Sequence, residues 1–351
     1  MKIELKARNK EIPVYDELRK MFVDAIRKGK LKTGDRITPE EELAKMFKTS
    51  RTTVRKAMAC LQEENLILRF PRKGTFINSN FSADESKPLP IIGVDYLGGI
   101  IRSGPGYYGA MIEGIVSCAR RNRMIVTFLD KDKKDDPEKF AGIIFLQEPN
   151  KSLPIVQAAL QGVLPGVGIN RKIGGHVGCL CVDYKRESYL GVKKLIERGY
   201  RDIGYYGNGF YGDEFNQTRY AGYYQAMTEA GLPLKKKNIH FFSSETNRYL
   251  QAKLYFQHAR ISALFVSLAP ILFSVLYAMN ILRISPAEDI KVLCFDNLED
   301  MELNGPDIAY IKMPLQKMGV RATEYISQKL TLKNKLSPVN EVYPAEFCFP
   351  D

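Results

Sequence analysis

The sequence predicts a multidomain fold: an N-terminal winged helix-turn-helix of α+β class, then a larger α/β region built as two subdomains. Three observations predict it. The chain has 351 residues, and at roughly 150 residues per domain that length requires two or three folded units. Its formal charge of +12 is lopsided, because residues 1–80 hold 19 Lys+Arg against 11 Asp+Glu, a net +8. The spacing of apolar residues also changes along the chain, from a helical repeat early on to strand-like runs alternating with amphipathic helices after residue 90. A hydrophobic fraction of 45% with 26% charged residues belongs to a folded chain and excludes disorder. Basicity concentrated in one small domain points to a polyanion, since neutralising phosphates supplies the sequence-independent part of DNA binding.

In the first domain Val14, Leu18, Phe22, Ala25 and Ile26 recur at helical spacing and the pattern stops at Gly29, which predicts a first helix. Thr38 and Pro39 precede an acidic turn, Glu40 to Glu42, and a short second helix with Leu43, Met46 and Phe47 inside. Ser50 is placed to cap a third helix, whose Val54, Ala57, Met58 and Leu61 face inward while Arg51, Thr52 and Arg55 face outward. Leu66 to Phe70 and Thr75 to Asn78 then read as two strands around a basic turn, Pro71-Arg72-Lys73-Gly74. Arg51 and Arg55 lie one turn apart near the start of the third helix, where they reach guanine edges or phosphates in a major groove. Arg72, Lys73 and Gly74 form a tip that approaches the backbone or minor groove closely.

The stretch from Pro13 to Ile77, with GDRITPEEELAKMFKTSRTTVRKAMACLQEENLILRFPRKGTFI, closely resembles the DNA-binding domain of GntR-family regulators. SRTTVRKA followed by a wing ending KGTFI carries the match. The resemblance implies DNA contact at Arg36, Ser50, Arg51, Thr53, Arg55, Lys73 and Gly74; Thr52 and Arg72 join them from their outward and wing-tip positions. Glu41 stands where many members have a basic residue, so operator preference does not transfer from relatives.

Residues 79–90, SNFSADESKPLP, are polar, rich in proline at the end and without periodicity, which reads as a linker between a head at 1–78 and a sensor at 91–351. From Ile91 the chain alternates: IIGVDYL, a helix from Tyr108 to Arg121, MIVTFL, AGIIFL, PGVGIN, CLCVD, and a helix from Tyr184 to Arg198. It then repeats as DIGYYG, a helix through Tyr220 to Ala230, IHFF, a helix through Leu250 to Ala259, ALFVS, and a helix from Ile271 to Leu282. IKVLCFD, AYIKM and a helix from Gln316 to Leu330 complete it. Such alternation predicts parallel sheets covered by helices, in subdomains of about 91–200 with 311–331 and 201–310 with 332–351.

Residues 90–351 resemble the periplasmic-binding-protein-like (type I) sensor of LacI/GalR repressors. GYYGAMIEGI, LPGVGINRKIGG, VDYKRESYLGVKKLIERGYRDIGYYG, RYAGYYQAMTEAGLP, EDIKVLCFDN and IAYIKMPLQKMGVRATEYI carry the likeness in order. A GntR-type head on a LacI-type sensor is a recognised chimera, exemplified by arabinose repressors. The resemblance implies a small effector in the cleft between subdomains, at the carboxyl ends of the strands. Asn170 or Arg171, Arg219 and Asp296 would hydrogen-bond its hydroxyls, and Asp95 with Tyr107 or Tyr108 would line the N-terminal side. A sugar suits that chemistry, because charged groups bond hydroxyls strongly while an aromatic face covers the apolar face of a ring. Two departures stand out. Ser267-Leu268-Ala269-Pro270 replaces the usual Ala-Asn-Asp, removing a polar ligand contact, and KDKKDDPEKF between Leu129 and Ala141 replaces a full crossover helix.

The six cysteines, Cys60, Cys118, Cys179, Cys181, Cys294 and Cys348, lack metal or disulfide spacing; Cys179 and Cys181 share one face of a strand as a buried reduced pair. His176, His240 and His258 lack ligand spacing, so no metal and no cofactor are expected. The start, MKIELKARNK, has no signal-like apolar run, and no stretch is apolar for the roughly 18 residues a membrane span needs, so a cytoplasmic protein is expected. No nucleophile elbow, phosphate-binding loop or paired carboxylates point to catalysis. A rival remains: Gly104-Pro105-Gly106-Tyr107-Tyr108-Gly109 is literally GxGxxG, with Asp130 following the next strand, the pattern of an NAD(H) site in an oxidoreductase or redox sensor. It lacks the glycine directly after the strand that such a turn requires. The favoured reading is a homodimeric repressor that binds double-stranded operator DNA, because two-fold symmetry matches two half-sites.

Overall fold

The computed structural model describes residues 13–32, 34–64, 66–70, 73–78, 88–95, 105–129, 134–208, 214–242, 246–286, 288–296, 308–332 and 337–349. Arg72, Gly104, Asp130 and most of the expected linker lie outside the described residues.

The head runs α1 (Val14–Arg27), β1 (Arg36–Ile37), α2 (Glu40–Met46), α3 (Arg51–Glu63), β2 (Ile67–Phe70) and β3 (Gly74–Ile77). Its strands pair antiparallel in the order β1-β3-β2. Leu18, Phe22, Ala25 and Ile26 of α1 and the inward residues foreseen on α3 meet in one core, with Phe22 set edge-on to Phe47 at 6.4 Å and Leu43, Val54 and Met58 around them; Val14 at the start of α1 is half-buried outside it. Met46 is a correction. It is exposed, because α2 has seven residues and turns Leu43, Ala44 and the following Phe47 toward the core. The sheet also gains β1, whose two residues are too few to show any period.

The rest of the chain runs β4 (Ile91–Asp95), α4 (Pro105–Arg121), β5 (Ile125–Phe128), β6 (Gly142–Phe145), α5 (Pro154–Leu160), β7 (Gly166–Ile169), β8 (Gly178–Val182) and α6 (Tyr184–Glu197). It continues with β9 (Ile203–Asn208), α7 (Glu214–Glu229), β10 (Ile239–Phe242), α8 (Arg248–His258), β11 (Ala263–Val266), α9 (Ala269–Ile281), β12 (Lys291–Phe295), β13 (Ala309–Lys312), α10 (Leu315–Thr331), β14 (Asn340–Tyr343) and β15 (Glu346–Cys348). Two six-stranded sheets result, ordered β14-β8-β7-β6-β4-β5 and β10-β9-β11-β12-β13-β15. Pairing from β5 through β4 and β6 to β7, and from β10 through β9, β11 and β12 to β13, is parallel; β15 joins β13 antiparallel. Every residue of β6, β7 and β11 is buried, which is why these strands read as apolar runs without alternation.

By compactness the chain forms two units, residues 1–96, 115–179 and 320–339 in one, and 97–114, 180–319 and 340–351 in the other. In the first, β5 is an edge strand with Ile125 and Phe128 exposed, and the crossover to β6 holds, among its described residues, one 3-10 turn at Pro137–Lys139. Cys179 and Cys181 are half-buried rather than buried, since on β8 the inward face belongs to Gly178, Leu180 and Val182. Among the described residues no helix is long and apolar enough to cross a membrane.

Candidate DNA interface and effector site

The N-terminus of α3 is fixed by Ser50, whose Oγ accepts the Thr53 N–H at 3.0 Å and lies 2.8 Å from Thr53 Oγ1. That cap leaves Arg51, Thr52 and Arg55 exposed on the first turns. Arg55 Nε donates to Glu40 Oε2 at 3.3 Å, and Glu40 also binds the Arg69 guanidinium through Oε1. At the wing, Gly74 has φ +113°, and a Cβ there would come within 2.8 Å of Arg36 Nε. Glycine is required on both counts: an L side chain is strained at that angle, and it would push Arg36 off the turn. Lys73 is exposed beside it. The head thus brings Arg36 to Gly74 and sets Arg51, Thr52 and Arg55 together on α3.

In the first unit, Asp95 ends β4, is 7% exposed, and accepts Gln147 Nε2 on Oδ1 at 3.2 Å; Oδ2 is buried with no hydrogen bond among the described residues. Burial raises its pKa, and the Gln147 bond opposes this only partly. Asn170 follows β7, fully buried in the left-handed region at φ +52°, with Arg171 next to it. The Arg171 carbonyl lies so close to Gly168 that a Cβ there would come within 2.2 Å. Asp95 and Asn170 therefore both stand at carboxyl ends of parallel strands, where loops leave the sheet.

In the second unit, Arg219 of α7 and Asp296 after β12 are both buried, with Nη2 and Oδ1 3.9 Å apart. The Arg219 guanidinium carbon lies 4.5 Å from the ring centroids of both Tyr184 and Phe295. Asp296 Oδ2 accepts the N–H of Ala269, the first residue of α9, at 3.0 Å, so the segment that lacks the usual Ala-Asn-Asp supplies a backbone donor to this carboxylate. Asp296 has φ +145°, a strained angle for a side-chain-bearing residue, and such strain persists where surroundings over-determine it. Burial raises the Asp296 pKa against the pull of Arg219 and the Ala269 N–H. For Arg219 burial works against the charge, but Asp296 together with the Tyr184, Tyr107 and Tyr205 hydroxyls outweighs it and the pKa is raised. Tyr107 reaches this cluster through its hydroxyl, 3.3 Å from that of Tyr184, while Tyr108 is buried edge-on behind it. Ser267 is fully buried, with its Oγ and the Tyr205 hydroxyl both crowding Gly207.

Residues 14–77 match the family described as bacterial regulatory proteins, gntR family, and residues 192–347 match the periplasmic binding protein-like domain. The chain joins a GntR-type head to a periplasmic-binding-protein-like domain. It is 23% identical over 352 residues to an arabinose metabolism transcriptional repressor of Geobacillus stearothermophilus, covering 92% of this chain and 93% of that protein. The transcriptional repressor PurR of Pasteurella multocida is 27% identical over 158 residues, 44% of this chain, which spans about half (47%) of that repressor. A LacI-family regulator from Enterococcus faecium solved with bound ribose superposes with a TM-score of 0.62 at 15% identity, covering 74% of this chain and 96% of that one.

These findings do not favour the dinucleotide reading. In the periplasmic-binding-protein-like region Gly106 and Gly109 sit inside α4, and nine residues separate the end of β4 from its start. Sequence reasoning missed Glu40, Gln147, Tyr184 and Phe295. Glu40 was visible only as part of an acidic first turn; its hold on Arg55 and Arg69 depends on how α2, α3 and β2 pack. Tyr184 had a readable signal, since it directly follows Asp183, whose carboxylate caps α6 by accepting the Arg186 N–H.

Proposed function

We propose that this chain is a transcriptional repressor that acts by binding rather than catalysis, and whose grip on double-stranded operator DNA is set by a small sugar. The head, 1–78, reads DNA; residues 79–90 link it to the sensor, 91–351. Operator contacts are assigned to Arg36, Arg51, Thr52, Arg55, Arg72, Lys73 and Gly74, with Ser50 and Thr53 at the helix cap. The observation that carries this is the capped start of α3, with Arg51 and Arg55 exposed on adjacent turns beside the Arg36–Gly74 wing. Arg51→Ala should weaken operator binding about 10- to 100-fold in a gel-shift titration, the loss of one base-reading arginine. Unchanged affinity would remove α3 from the interface.

Effector contacts are assigned to Asp95, Tyr107, Tyr108, Asn170, Arg171, Arg219 and Asp296. Support comes from the chemistry of the Arg219–Asp296 pair, which offers charged donors and acceptors beside the Tyr184 and Phe295 rings, and from the ribose carried by the Enterococcus faecium relative. A homodimer accounts for an apolar stripe on α8 and α9, where Tyr249, Leu250, Leu254, Phe273, Tyr277 and Ile281 are each about half exposed. Phe273, Tyr277 and Ile281 lie four residues apart, on one line of α9. Sedimentation of Tyr277→Asp should give a monomer; a dimer as stable as wild type would place the interface elsewhere. Acting on operator DNA, the protein works in the cytoplasm.

A further inference from the structure

Asn78, the first residue past β3, is only 1% exposed. Its Nδ2 donates to Asn122 Oδ1 at 3.4 Å, and Ser327 Oγ donates to the same oxygen at 3.4 Å. Asn122 is itself held by its Nδ2, which donates to the Cys118 carbonyl at 2.9 Å. Asn122 follows α4 and Ser327 lies on α10, so the last residue of the head is joined to two helices of the sensor, all within the first unit. A second approach lies nearby: a Cβ on Gly34 of the head would come 3.0 Å from the Thr331 carbonyl near the end of α10. A cavity of about 350 Å³ at the same junction is lined by Gln62, Glu63 and Arg69 of the head and by Arg121, Glu324 and Gln328 of the sensor. Arg51, Arg55 and Lys73 stay exposed in this arrangement.

We propose that the head is docked rather than merely tethered, and that the Asn78–Asn122–Ser327 cluster fixes the orientation of its DNA-reading surface before DNA arrives. Buried amides specify an orientation as apolar contacts do not, because rotating the head strands an amide without its hydrogen bond. Both signs of charge line the cavity on each side, Glu63 and Arg69 against Arg121 and Glu324, which complements one register over others. A flexible 12-residue linker alone would let each head wander by roughly 20 Å. With docked heads, the spacing between half-sites is set by the fold instead. This consequence rests on the dimeric repressor reading above; the docking itself does not.

The test uses the full chain in two measurements. Operator duplexes with native half-site spacing and with two base pairs inserted are titrated by fluorescence anisotropy against wild type, Asn78→Ala and Ser327→Ala. Wild type should lose at least about tenfold on insertion, whereas both variants should bind the native operator about tenfold more weakly and lose less than about threefold on insertion. A double-mutant cycle of Asn78→Ala and Asn122→Ala in urea unfolding should show that the two changes are not additive. An insertion penalty unchanged in both variants overturns the proposal, and so does an additive cycle. If one half-site binds wild type as tightly as two, the dimeric reading fails instead, and the unfolding cycle still decides whether the head is docked.

Discussion

In the head, Arg51, Arg55 and Lys73 stand in solvent, whereas in the second unit Arg219 and Asp296 are withdrawn to 7% exposure and Asp296 is held at a strained backbone angle. Phosphates and base edges come to a surface and read whatever charge is displayed there. A neutral ring of hydroxyls offers no long-range field, so the groups that recognise it must already be desolvated and aimed. The two regions should therefore answer substitution differently: the exposed cations carry function with little stability, and the buried pair carries both.

The largest effect is expected at Asp296. Asp296→Ala leaves Arg219 buried beside two rings without its counter-charge and removes the bond to Ala269, and should cost the second unit about 3 kcal/mol in urea unfolding. Head unfolding should not move. Asp296→Gly should recover about 1 kcal/mol of that loss, because glycine adopts φ +145° without strain. Equal losses in the two variants would show that the angle stores nothing.

Asp95 sharpens the contrast, because there function and stability should oppose each other. Burial raises its pKa above 3.8, so the folded chain holds the proton more tightly than the unfolded chain does. The contribution to stability is full below pH 3.8 and is lost as pH rises through the raised value. Asp95→Asn should remove that slope and stabilise the fold at neutral pH by about 1 kcal/mol while weakening sugar binding. A variant that loses stability at neutral pH would mean that the ionised carboxylate has a partner in the fold.

Glu40 should give the smallest change. It holds Arg55 and Arg69 at a partly exposed position, so Glu40→Gln should alter unfolding by less than about 1 kcal/mol. Operator affinity should still shift several-fold as Arg55 is released, measured on one duplex at fixed salt. No shift in affinity would mean that the Glu40 contact does not orient Arg55 on DNA.

The same contrast explains what could be read in the sequence. The head was legible because its signals are local: Leu18, Phe22, Ala25 and Ile26 mark α1 by spacing, and Ser50 marks the start of α3. The strands of the parallel sheets were legible as apolar runs bounded by turns. α5 was missed because seven residues, PIVQAAL, are too few to separate a buried helix from a strand, and β14 and β15 because NEVY and EFC carry no strong pattern. Arg219 and Asp296 came from resemblance. The rings around them, the Ala269 N–H and the Glu40 bridge depend on residues 15 to more than 70 positions apart meeting in space, which no local window contains.

The central claim is that sugar occupancy sets operator affinity, and it is tested most directly by anisotropy titration of an operator duplex with the full chain, with and without each of a panel of neutral monosaccharides. At least one sugar should shift operator affinity about tenfold in wild type and fail to do so in Arg219→Ala. A chain that binds operator tightly, yet whose affinity no sugar changes, or changes equally in Arg219→Ala, would contradict the account.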